Sequence, residues 1–137
     1  MLRKVFKFLF VAEVIVLGVP VTLFALFGLM VLVSTYARGA AVNPDFVPSA
    51  FAALLSCVGL FGFWGLSGLY LSGGGRALRN SPIWLLIPTA IGVAMTSLVF
   101  VMPSNSPFKP LGMIGAFGIP LLLPMLHMAI GTMAEGG

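Results

Sequence analysis

Charge is what this sequence has least of: 7% of its residues are Asp, Glu, Lys or Arg, and only three residues are acidic. Soluble domains carry about 25% charged residues, so an ordinary water-facing surface is excluded. Cysteine occurs once, at Cys57. That excludes an internal disulfide and a thiolate metal cluster, and its place within an apolar run reads as a small packing residue. Histidine also occurs once, at His127. Paired carboxylates within the apolar runs, a serine with a histidine base at readable spacing and any HExxH-type ligand set are missing as well. The sequence therefore offers no enzyme signature, and neither a cofactor nor a metal is expected. The net charge of +4 is not a nucleic-acid footprint, because the basic residues are scattered and form no stripe or basic helix.

What is present in excess is apolar surface, at 60% of residues. A soluble fold of this size buries only about two-thirds of its unfolded-chain area, so the expected solvent is lipid. The ten prolines and seventeen glycines lie largely inside apolar runs, where membrane helices tolerate them. Four runs stand out, at residues 8–33, 47–71, 83–102 and 111–133. Each meets the need for about 20 apolar residues to cross a hydrocarbon core about 30 Å thick. The first would reach about 39 Å at 1.5 Å per residue, so it is expected to tilt, kink at Pro20 or protrude. Arg3, Lys4 and Lys7 precede it as they would a signal sequence. The run exceeds the 7–15-residue core of such a signal, so the first span is expected to be retained.

The connections are short and carry turn residues, with Pro48, Pro82 and Pro110 at or just before helix starts. Consecutive helices must then be antiparallel neighbours. Arg3, Lys4, Lys7, Arg76 and Arg79 lie on one side, and Arg38 and Lys109 on the other. The positive-inside rule places both termini in the cytoplasm. Tyr36, Tyr70 and Trp84 fall at run ends, as interfacial anchors do. The expected fold is an all-α integral membrane protein of four transmembrane helices in an up-down bundle, N-in/C-in, in a bacterial inner membrane.

Two features are candidates for function. Ser56, Gly59, Gly62, Gly65 and Gly68 repeat every third residue along the second run. Such a ridge, made of small residues, becomes a groove in which a second helix can pack closely. Its occupant is either the fourth run, which opens with Gly112, Gly115 and Gly118, or another chain. Glu13 is the only acidic residue inside an apolar run, and His127 lies in the fourth. Counted from the cytoplasmic ends, both fall at similar depth, so they meet if the first and fourth helices are adjacent. The pair would serve as a proton relay, line a polar cavity, or simply fix helix register; Lys4 or Lys7 reaching back to Glu13 is the plain alternative. Met125, His127 and Met128 do not form a soft-metal set, since residue 127 points about 100–200° away from the other two.

Smaller signals complete the reading. Pro88 in the third run, and Pro120 and Pro124 in the fourth, remove backbone donors and invite kinks. Gly73-Gly74-Gly75-Arg76 lacks the ending of a phosphate loop and reads as a flexible cytoplasmic turn. Asn-x-x-Phe-x-Pro occurs at Asn43–Pro48 and again at Asn105–Pro110, an echo that Pro-rich loops also produce by chance. With so little outside the apolar runs, the leading expectation is a non-enzymatic inner-membrane subunit. Its partners would be the lipid bilayer and copies of itself or other membrane subunits, joined through glycine-rich faces. The alternatives are a small ion-conducting pore or phage-defence, toxin-like effector, and a dimeric small transporter.

Overall fold

The computed structural model describes residues 2–39, 46–101, 116 and 118–134, and the chain is all-helical there apart from short turns. Lys109, Gly112 and Gly115 lie outside the described residues, as do the third connection and most of the Asn-x-x-Phe-x-Pro echo.

The first rod enters as α1 (Leu2–Glu13), widens into one π-helical turn (Val14–Gly18) and continues as α2 (Val19–Ala37). Pro20 explains the widening. It has no N–H to offer the carbonyl four residues back, and a π turn absorbs such a gap without breaking the helix. Thr22 then donates its hydroxyl to the Gly18 carbonyl at 2.7 Å. The irregularity expected at Pro20 thus sits one turn earlier. At the far end, Arg38 N–H donates to Ser34 O, and Gly39, at φ 82°, donates to Tyr36 O. These bonds close the helix in the left-handed manner that glycine permits.

The second rod, α3 (Phe46–Arg79), runs eight residues past the expected end of its apolar stretch at residue 71. The glycine turn expected at residues 73–76 is reduced to one non-helical residue, Gly74, at φ 69° and ψ −157°. That conformation is open to glycine and strained for other residues. Beyond it, Ala77, Leu78 and Arg79 favour helix, and Leu78 packs against the core. Helix therefore resumes, leaving only Asn80, Ser81 and Pro82 to reverse the chain. The third rod is α4 (Ile83–Val101), with Pro88 inside it. The fourth opens with a tighter turn that passes directly into α-helix. A 3-10 turn (Ile119–Leu121) carries Pro120, and α5 (Leu122–Ala134) carries Pro124 in its first turn, fully buried.

Phe10, Val14, Val21, Phe63, Leu66, Tyr70, Leu85, Leu121 and Met128 form the core, drawn from all four rods. Outward-facing residues are also apolar: Phe8, Phe27, Met30, Phe51, Trp84 and Met133 are among many exposed large side chains. Two rods, Lys4–Ala37 and Phe46–Arg79, are long and apolar enough to cross a membrane, while Ile83–Ser97 and Ile119–Met133 are apolar but shorter.

Candidate functional site

Glu13 ends α1 where the π turn begins, and His127 lies midway along α5. The structure brings them together. His127 Nδ1 lies 3.2 Å from Oε1 and 3.1 Å from Oε2 of Glu13. A carboxylate oxygen accepts, so the ring hydrogen is assigned to Nδ1, which donates to both oxygens. Nε2 is buried and without a partner among the described residues. Lys7 does not serve Glu13. Its Nζ crosses instead to α3 and donates to Leu71 O at 3.2 Å.

Aromatic rings close around the imidazole. Phe6 and Phe10 meet it edge-on with centroids 5.0 and 5.5 Å away, and Tyr70 lies at 6.5 Å. Edge-to-face rings at these separations are the favoured aromatic geometry. Tyr70 was expected at the membrane interface; it is buried instead, its ring against Phe10 and its hydroxyl over Gly131. The reason is the length of α3. With helix continuing to Arg79, Tyr70 is an interior position of the rod and not its end. Tyr36 and Trp84 are exposed.

The small-residue ridge has a definite occupant, and it is not the fourth rod. A Cβ built on Gly59 would lie 2.6 Å from the Cα of Gly92, and one on Gly62 would meet the backbone N of Thr89 at 2.6 Å. One on Gly65 would collide with Leu85. As the α3 number rises by three, its α4 partner falls by three or four, as antiparallel helices require. Ser56 donates its hydroxyl to Ala52 O within its own helix, and Gly68 faces open space. The groove is thus filled within the chain over Gly59, Gly62 and Gly65, with α4 as its partner among the described residues.

Above this contact a cavity of about 200 Å³ opens between the rods, lined by Val21, Gly28, Ser56, Gly92, Thr96 and Met125 among others. The hydroxyls of Ser56, Thr89 and Thr96 in its wall donate to backbone carbonyls of their own helices, which leaves the surface largely apolar. Neither Glu13 nor His127 lines it. Among the described residues, no group of three or more His, Cys, Asp or Glu side chains is placed to hold a metal ion.

Three links between rods had no readable signal in the sequence. Trp64 Nε1–H donates to Thr22 Oγ1 at 2.9 Å, which couples α3 to the π turn through Gly18 O. Arg79 donates to Thr132 O at 3.0 Å, and Lys7 to Leu71 O as described. Each joins a side chain to a distant oxygen, and only a three-dimensional arrangement brings such groups together. Comparison with protein families, with curated proteins and with solved structures gave no match.

Proposed function

We propose that this chain is a non-enzymatic, multi-pass subunit of a bacterial inner membrane that works by assembling with copies of itself or with other membrane subunits. One observation carries the reading. Along α2, 19 residues long, only Val21 is buried, while Leu23, Phe24, Leu26, Phe27, Met30, Val31 and Val33 are all exposed. A contiguous apolar surface of this extent marks a membrane or protein contact, not a water-facing one. Since α4 fills the glycine groove of α3, the assembly surface is assigned to α2. Four spans with both termini cytoplasmic follow from the five-to-two division of Lys and Arg between the two sides.

Two measurements test the reading. In a Cys57→Ser background, a membrane-impermeant thiol reagent applied from outside should modify Ser104→Cys and spare Ser81→Cys. Phe27→Cys or Met30→Cys in the same background should cross-link to a neighbouring chain in native membranes. Labelling with the reverse pattern would overturn the orientation. A lone monomer in mild detergent and in lipid nanodiscs, with no cross-link and no co-purifying subunit, would overturn the assembly.

The cavity between the rods favours a second reading, a dimeric small transporter for an apolar solute. Its size suits a small molecule, and its wall offers no free charge for an ion. Solute binding that is unaffected by Ala53→Phe, a substitution into the cavity wall, would remove this reading. A pore gains no comparable support, because neither Glu13 nor His127 lines the cavity.

A further inference from the structure

Basic side chains gather at the end of the bundle where α1 begins and α3 and α5 finish. Lys7 ties α1 to Leu71 O of α3, and Arg79 ties the end of α3 to Thr132 O of α5. These bonds place three helix ends side by side. Arg79 also sits against a carbonyl near the C-terminus of α5, where positive charge is favoured. Lys4 lies one turn before Lys7, and Arg76 lies just past the break at Gly74; both are exposed. Neither makes a side-chain hydrogen bond or ion pair among the described residues.

Little opposes this charge. The chain has three acidic residues, Glu13, Asp45 and Glu135. His127 engages Glu13, which lies about 9 Å further along the rod from Lys7. In sequence, Asp45 immediately precedes α3, whose other end carries Arg76 and Arg79. Only Glu135 stands in sequence beside this end, against Arg3, Lys4, Lys7, Arg76 and Arg79. Directly along the α1 surface from Lys4, one turn away on the same face, Phe8 is 74% exposed. A free cation thus borders an apolar wall.

We propose that this end of the bundle binds the phosphate of an anionic phospholipid, with Lys4 and Arg76 holding the headgroup and Phe8 bordering its acyl chains. The inference rests on the membrane reading above. Lys7 and Arg79, already held by carbonyls, set the separation of the helix ends that carry the two free cations. An anionic diacyl lipid fits both halves of the surface: its headgroup meets the charge, and its tails meet the apolar wall. Arginine adds a planar fork suited to phosphate oxygens.

The experiment uses the full chain, delipidated in a nonionic detergent, so that orientation in a bilayer plays no part. Phosphatidylglycerol and phosphatidylcholine of identical acyl chains are titrated, with retention read by native mass spectrometry and stability by thermal unfolding. Phosphatidylglycerol should be retained selectively and raise the melting temperature. Lys4→Gln combined with Arg76→Gln should weaken retention roughly thirtyfold, about fivefold per charge removed. Its far-ultraviolet circular dichroism and lipid-free melting should match the wild type, which separates lost binding from lost folding. Equal retention of the two lipids, or an unchanged affinity in the double variant, overturns the proposal. Inorganic phosphate giving the same stabilisation at the same concentration overturns the lipid as its source. Vesicle flotation keeps the two readings apart. A chain that fails to float with either lipid removes the membrane reading, whereas one that floats with both and shows no selectivity in detergent removes this inference alone.

Discussion

Glu13 and His127 stand 114 positions apart in the chain, and their side chains meet with Nδ1 at 3.1 Å from Oε2. The contact joins the first rod to the last, at the point where α1 gives way to the π turn. His127 is 10% exposed and Glu13 25%, so the bond is shielded on the histidine side and partly open on the other. Removing either partner therefore has unequal consequences.

Glu13→Gln should cost the least, about 0.5–1 kcal/mol, because an amide oxygen still accepts from Nδ1–H. His127→Ala should cost about 2–4 kcal/mol, since it also empties the space between Phe6, Phe10 and Tyr70. Glu13→Ala and His127→Ala together should fall short of the sum of their separate effects by about 0.5–3 kcal/mol, the range for residues in direct contact. Thermal unfolding in mild detergent measures the cycle. Strict additivity would mean that the two side chains are neighbours without being coupled.

The α3–α4 contact predicts a sharp contrast among glycines that look alike in the sequence. A Cβ on Gly92 would lie 2.8 Å from the Cα of Gly59, backbone against backbone, with no side chain able to yield. Gly92→Ala and Gly59→Ala should each destabilise by about 1–3 kcal/mol. Gly28 and Gly68 have nothing within 4 Å. Alanine there should be neutral, or stabilising by about 0.4–1 kcal/mol, through a less disordered unfolded chain. Equal melting temperatures for all four variants would contradict the close approach of the two helices.

The sequence made some of this legible because depth along a helix can be counted. Counting residues from the helix ends sets Glu13 and His127 level on antiparallel rods, and their meeting needs only that the rods be neighbours. The ridge of Gly59, Gly62 and Gly65 announces a groove but not its occupant. In α4 the matching surface is Leu85, Pro88, Thr89 and Gly92, which repeats no pattern and so carries no signal. The glycine run at residues 73–75 reads as a turn because local flexibility is all that composition expresses. The packing of Leu78 against the core decides otherwise, and that contact is not local. The misplacement of Tyr70 follows from the same cause: extending α3 by two turns moves the end of an apolar run into the interior of the helix. Pro20 was legible as an irregularity, whereas the π turn that absorbs it depends on how the carbonyls before it find donors.

Tyr70 and Gly131 offer a test in which one substitution should repair another. The Tyr70 hydroxyl lies over Gly131 so closely that a Cβ there would collide with it, and Cζ of the ring would lie only 3.0 Å away. Gly131 is buried on α5, one turn beyond His127, and Tyr70 packs edge-on against Phe10. Gly131→Ala should therefore force the ring aside and loosen the enclosure of His127, at a cost of about 1–3 kcal/mol. Tyr70→Phe alone removes one oxygen from a buried ring and should cost at most about 1.5 kcal/mol. Placed together, the two changes should cost less than their sum, because the atom that meets the new methyl group first is gone. Recovery should be partial, since Cζ and Cε2 remain within about 3.1 Å of the added carbon. Melting temperatures of the two single variants and the double variant decide the matter. A double variant as unstable as the sum of the singles would show that the Tyr70 hydroxyl does not limit the approach of α3 to α5.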